Sequence, residues 1–178
     1  MCPAHHQYYN VVMAATASFD ITSTVDFQEV DNALNQARKE VAQRYDFKGA
    51  KADILLNSTD KTLTLVADDE FKMNALWEIV QTRLVRRGVP VKNFKAGASD
   101  PAAGGAVRRV IPIQQGIPIE AAREIVKFIK DQKLKKVQAA IQADQVRVSS
   151  PSKDELQDAM RRLREHDFGV ALQFGNYR

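Results

Sequence analysis

The residues of this chain best suited to chemistry are cations, and they cluster. The stretch AREIVKFIKDQKLKK (122–136) sets Arg123, Lys127, Lys130, Lys133, Lys135 and Lys136 against Glu124 and Asp131. Arg123, Lys127 and Lys130 fall at i, i+4 and i+7, so a helix carries them on one face, opposite Ala122, Ile125, Val126 and Ile129. Such a stripe can neutralise phosphate. It is also the form of a solvated helix face whose lysines complement the negative end of the macrodipole. Lys133, Lys135 and Lys136 favour phosphate, because they run past the helix toward a strand.

A second cluster is RYDFKG (44–49). Arg44 and Lys48 stand beside the ring of Phe47, and cations beside a ring can hold a base and its phosphate. The structural alternative is that Gly49 permits a turn, Phe47 plugs the core and Arg44 satisfies carbonyls at a helix end. That alternative accounts for Gly49 and Phe47 and leaves Arg44 and Lys48 as candidates. A third group lies on strands. With Val146 and Val148 inward, Arg147 points outward, as do Gln173 beside Leu172 and Phe174, and Gln138 beside Val137 and Ala139. Arginine and glutamine on an open sheet face can contact phosphates and bases. Aromatic residues of the kind that stack bases in ordinary RNA-recognition domains are missing from VQAAIQADQVRVSS.

Enzyme signatures fail. No GxxxxGK[ST] loop occurs, and no GxGxxG follows a strand. The histidines are His5, His6 and His166, and none has zinc-ligand spacing with the single cysteine, Cys2. His166 reads as a helix-end residue. The expectation is a protein with no catalytic residues, no metal and no cofactor.

These groups must be positioned by regular elements. SFDITSTV (18–25) alternates as a strand. Asp26 with Glu29 three residues on marks a helix start, and Val30, Leu34, Ala37 and Val41 give that helix its stripe. AKADILL (50–56) and TLTLV (62–66) form a hairpin, Asp68 or Asp69 opens a helix ending at Arg86–Gly88, and VPVKNF (89–94) reads as a further strand. After KAGASDPAAGGA come a strand at 107–113, a helix after Pro118, and a hairpin at 136–149. A helix with Pro151 near its first position and a closing strand, VALQF (170–174), end the chain. The order strand, helix, hairpin, helix, strand thus occurs twice. It predicts an α+β protein of two ferredoxin-like or RNP-like βαββαβ domains, with antiparallel sheets and helices on one face. The domains are placed at 18–95 and 107–178, with a disordered leader at 1–17 and a flexible Gly/Ala loop at 96–106. Whether the first strand pairs in its own half or crosses to the other stays open.

The 178 residues are 44% hydrophobic and 27% charged, ordinary for a folded domain pair. One cysteine excludes an internal disulfide. No apolar run approaches the roughly 18–20 residues that span a bilayer, and the N-terminal stretch lacks a basic signal region, so the expected address is the cytoplasm with no membrane partner. Met13 is a second candidate start. Charge is uneven: residues 1–89 hold 10 Lys+Arg and 12 Asp+Glu, a net of −2, while residues 90–178 hold 16 and 10, a net of +6.

Three stretches together resemble the YajQ family of bacterial nucleotide-binding proteins: ASFDITSTVDFQEVDNALNQARKEVAQRYDFKG (17–49), IVKFIKDQKLKKVQAAIQADQVRV (125–148) and LQFGNYR (172–178). The resemblance covers Ser18–Arg178. It implies two RNP-like domains, nucleotide binding (cyclic di-GMP in some members, GTP or tRNA in others) and no established enzymatic activity. Its pattern carries over to Phe19, Asp20, Arg44, Asp46, Phe47, Lys48, Lys127, Lys130, Asp131, Lys133, Lys136, Arg147, Gln173, Phe174, Asn176 and Arg178. Departures are Gln142-Ala143-Asp144 where the family has Gln-Gly-Asp, and SSPSKDELQ (149–157) where it is more basic and contains glycine. The leader and the 97–106 loop have no clear counterpart.

The leading expectation is therefore a cytoplasmic sensor of a guanine nucleotide, cyclic di-GMP or GTP, that signals to a partner such as a transcription regulator. Its candidate nucleotide-binding residues are Arg44, Phe47, Lys48, Lys127, Lys130, Lys133, Lys136, Arg147, Gln173, Asn176 and Arg178. The competing expectation is a module that binds tRNA or other RNA.

Overall fold

The computed structural model describes residues 15–178. The leader at 1–17, the Met13 start, His5, His6 and Cys2 fall wholly or mostly outside the described residues. Among the described residues, eight strands and four α-helices build two units, each a four-stranded antiparallel sheet with two helices packed on one face.

The first unit takes α1 (Phe27–Gln43), β2 (Ala52–Asn57), β3 (Thr62–Ala67), α2 (Glu70–Arg86), β4 (Asp100–Pro101) and β5 (Val107–Pro112), in sheet order β2-β3-β5-β4. Helix α1 starts where its cap residue predicts: the Asp26 carboxylate accepts from the N–H groups of Gln28 and Glu29. Asp69 does the same for α2 through Lys72. Val30, Leu34, Met73, Leu76 and Val80 then close over Ile54, Leu63, Leu65 and Ile111 from the sheet. The second unit takes β1 (Ala17–Thr22), α3 (Ile119–Asp131), β6 (Gln138–Gln142), β7 (Gln145–Ser150), α4 (Lys153–Glu165) and β8 (Gln173–Gly175), in sheet order β6-β7-β1-β8. Phe19, Ile21, Val146 and Val148 meet Ile125, Ile129, Leu156 and Leu163 in its core.

The sheets and the sequence halves do not coincide. β1 leaves the half it begins and pairs between β7 and β8, while β5 pairs with β3 and β4 of the first unit. Each half of the chain thus gives its first strand to the other's sheet. The two crossing segments hold one another: the Gly116 N–H donates to the Ser23 carbonyl at 2.7 Å and the Val25 N–H to Gln115 Oε1 at 2.8 Å.

Three local expectations need correction, and one alternative is decided. Residues 89–94 are not a strand: Val91–Asn93 form a 3-10 turn, and Phe94 alone makes a bridge, to Ile113. The turn lets the Asn93 side chain reach across to the second unit. The 96–106 segment, read as a loop or the tip of a hairpin, takes the second form: Asp100–Pro101 pair with β5 and the Ala102 N–H closes onto the Ala106 carbonyl. Pro151 lies two positions before the first residue of α4 rather than at it, since Ser152 is the cap and accepts from the Glu155 N–H. The last strand starts at Gln173 rather than at 170, because the Ala171 N–H is spent on Asn93 Oδ1. Among the described residues no helix is long and apolar enough to cross a membrane.

Candidate functional site

The candidate residues fall in three places. At the first, α1 ends as Arg44 turns to extended backbone and Tyr45–Phe47 make one 3-10 turn, which Gly49 releases at φ +72°. Phe47 is buried in the first unit's core. The Arg44 guanidinium donates twice to Asp46, at 2.9 and 2.8 Å, and this holds the Asp46 carboxyl below its ordinary range. Lys72 donates to the Asp46 carbonyl, with its Nζ 5.3 Å from the Phe47 ring centroid. Phe47 is therefore part of the core rather than an open stacking surface, and Arg44 is neutralised. Lys48 is exposed and belongs to no ion pair among the described residues.

The second place is the open face of the second sheet, opposite its helices. Arg147 lies across from Asp20 in the β1–β7 register and donates to both its carboxylate oxygens, at 2.7 and 3.0 Å. Asn176 donates to the same carboxylate, and Arg178 Nε to Asn176 Oδ1 at 3.4 Å. Gln173 is committed as well: its Oε1 accepts from the Thr24 hydroxyl at 2.6 Å, and its Nε2 donates to the Thr24 carbonyl at 3.0 Å. The structure thus joins Arg147 and Asn176 through Asp20, with Arg178 bonded to Asn176, and it commits the Arg147 and Asn176 side chains inside the protein.

The third place is the end of α3. Lys127, Lys130, Lys133 and Lys136 are all exposed, and none belongs to an ion pair among the described residues. Lys133 stops the helix at φ +55°, and the Lys136 N–H donates to Glu155 Oε2 at 3.1 Å. These four ammonium groups keep their charge available to solvent, unlike Arg44 and Arg147. His166 caps α4, packs on Phe128 and Phe168 and lies 3.5 Å from Glu124.

Reading α4 only for its buried stripe misses a cavity of about 620 Å³ between that helix and the C-terminal segment. It is lined by Lys153, Arg161, Arg164, Tyr177 and Arg178, of which only Arg178 is a candidate by sequence. A signal was present: Lys153, Gln157, Arg161 and Arg164 recur at i, i+4, i+8 and i+11, one polar face of a helix.

Comparison with known proteins agrees on one family. Residues 17–178 match the family described as nucleotide-binding protein YajQ-like. A nucleotide-binding protein of Chloroherpeton thalassium is 46% identical over 166 residues, 93% of this chain and 100% of that protein. One of Trichlorobacter lovleyi is 47% identical over 161 residues, 90% of this chain and 98% of that protein. One of Koribacter versatilis is 48% identical over 164 residues, 92% of this chain and 98% of that protein.

Proposed function

We propose, from the premise that this chain belongs to the YajQ-like nucleotide-binding protein family, that it is a non-enzymatic sensor of a guanine nucleotide, with cyclic di-GMP preferred over GTP. The observation that carries this reading is the set of free lysines at the end of α3. Lys127, Lys130, Lys133 and Lys136 stand exposed with no carboxylate partner among the described residues, in the half of the chain with net charge +6. Their role is to draw in and neutralise phosphate, an effect felt over roughly 8 Å at physiological salt. Lys48 can add a further positive charge on the first unit.

Signalling requires a surface for a partner protein. Tyr45 and Phe71, 88% and 79% exposed on the first unit, are aromatic anchors of the kind enriched in protein interfaces. A transcription regulator is the partner class this reading expects, in the cytoplasm.

Calorimetric titration of the full chain with cyclic di-GMP, GTP and ATP at physiological salt tests the proposal. The expected result is saturable micromolar binding of cyclic di-GMP, weaker binding of GTP and none of ATP, with no loss of phosphate from GTP. No heat with any of them would overturn it. Tight binding of RNA whose affinity falls steeply with salt, as several counterions are released, would replace it with the RNA-binding reading.

A further inference from the structure

We infer that the open cavity between α4 and the C-terminal segment is part of the ligand site, holding the planar base and a phosphate of a nucleotide. This rests on the proposed nucleotide-binding function and gives it a location that the family match does not assign.

The cavity is made by a β-bulge. Gly175 lies opposite Asp20 in the ladder, and Arg178 exchanges two backbone hydrogen bonds with Ser18, at 3.1 and 3.0 Å. Between those pairs β1 has one residue, Phe19, while the C-terminal segment has two, Asn176 and Tyr177. Asn176 absorbs the extra residue at φ +53°. A bulge re-aims the side chains that follow it. Here it sends the Asn176 amide to Asp20 on the open face and Tyr177 to the helix face, beside Phe19 with ring centroids 6.4 Å apart. Tyr177 is not absorbed into the core. It is 59% exposed and lines the cavity, with its hydroxyl 3.6 Å from Met160 Sδ. An aromatic ring thus stands in the wall of a pocket that Met160 and Leu156 also line.

The charged side chains around this ring are cationic: Lys153, Arg161 and Arg164 line the cavity, and no Asp or Glu does among the described residues. Arg161 is partly neutralised by Asp158 and Glu165. Lys153 and Arg164 belong to no ion pair among the described residues, and Arg164 is oriented by the Phe174 ring, 5.0 Å from its centroid, while the Arg178 guanidinium turns to Asn176 on the open face. A cavity of about 620 Å³ lies within the range of roughly 300–1,000 Å³ typical of small-molecule sites. An apolar floor, a ring and two free cations, Lys153 and Arg164, together suit a base that stacks and a phosphate that pairs. The lysines of α3 lie across α4 from this cavity, since Gln132 and Phe128 contact Arg162 and His166 on the helix's other side. They act as a long-range attraction, not as walls.

The test is calorimetric titration of the full chain with cyclic di-GMP and with GTP, comparing wild type with Lys153→Glu, Tyr177→Ala, Tyr177→Phe and the pair Lys133→Glu/Lys136→Glu. Glutamate in the first turn of α4 suits the helix dipole, so Lys153→Glu leaves folding intact. The expected result is about tenfold weaker binding or worse for Lys153→Glu and Tyr177→Ala, the scale of losing one ring contact to a base. Tyr177→Phe keeps wild-type affinity, and the α3 pair weakens binding only a few-fold, the more so at low salt. Wild-type affinity in both Lys153→Glu and Tyr177→Ala overturns the cavity and leaves the nucleotide reading standing. Failure of the wild type to bind either nucleotide overturns both.

Discussion

Arg147 grips Asp20 across the β1–β7 ladder, its Nε and Nη2 donating to the two carboxylate oxygens at 2.7 and 3.0 Å on the sheet face turned away from the helices. A cation that sequence alone assigns to phosphate thus already has an anion of its own. The Arg147 bonds first, and the Asn176 amide second, hold the Asp20 carboxyl down at about 2 against an ordinary 3.8.

This gives acid stability a specific shape. A carboxyl whose folded pKa lies below its unfolded value adds stability above the unfolded value and loses it as pH falls through the folded one. Asp20 should contribute about 1–2 kcal/mol at neutral pH, after allowance for solvent screening at the partly exposed Arg147. That contribution should persist down to about pH 5 and decline between about pH 4 and pH 2. Asp20→Asn should lower stability at pH 7 by about 1–3 kcal/mol and flatten this part of the acid limb. Urea unfolding of both proteins from pH 7 to pH 2 checks it. An unchanged acid decline in the variant would assign that sensitivity to other carboxylates.

Asn93 should be the most costly polar residue to remove. It is fully buried between the units, and its amide donates to Ser23 Oγ and the Gln114 carbonyl, each at 2.9 Å, while its Oδ1 accepts from the Ala171 N–H at 3.0 Å. Asn93→Ala strands one buried and two part-buried groups at once, a loss of about 2–4 kcal/mol. Chemical denaturation followed by circular dichroism measures it, and a loss under about 1 kcal/mol would mean that water replaces the amide.

Much of the fold is legible in the sequence because each element carries its own local signal. Asp26 and Asp69 cap the helices they precede, and the alternation of Phe19, Ile21, Val146 and Val148 marks strands with one buried face. Pairing across the chain has no such signal. β1 and β5 have the same alternating pattern and suit either sheet, so their exchange depends on contacts between Ser23, Gln115 and Gly116 that only the folded chain brings together. The site is less legible for a related reason. A lysine or arginine looks the same in sequence whether it is free, like Lys130, or committed to a carboxylate, like Arg147. The bulge at Asn176 that aims Tyr177 is likewise a product of register.

The strand exchange predicts which fragments fold. Residues 24–115 contain every strand and helix of the first unit, β5 included, and should unfold cooperatively on their own, although less stably without Ser23 and Ala171 to satisfy Asn93. Residues 107–178, the second half by sequence, lack β1, one of the two interior strands of their sheet, which leaves β7 paired on one side only and β8 with no neighbour. They should show no cooperative melt. Thermal denaturation of both fragments decides the matter, and a cooperative transition in 107–178 would mean that β5 can take the place of β1.

The turn between β6 and β7 and the glycine facing it should respond to substitution with opposite signs. Ala143 sits at φ +54° in a two-residue turn closed by Gln142 and Gln145, where an L side chain is strained. Ala143→Gly should relieve that strain, partly offset by the greater freedom of glycine in the unfolded chain, for a net gain of about 0.5–1 kcal/mol. Its neighbour Asp144 packs on Gly116, which lies at φ +81° and would place a Cβ 2.7 Å from the Asp144 Cβ. The Ile117 N–H also donates to the Asp144 carbonyl at 2.8 Å, so neither backbone can retreat without breaking that bond. Gly116→Ala should therefore lose about 1–3 kcal/mol. Pairing it with Asp144→Gly removes the clash but not the strained φ, so the double variant should recover only part of the loss. Full additivity of the two single effects in urea unfolding would show that Gly116 is required for its backbone conformation alone.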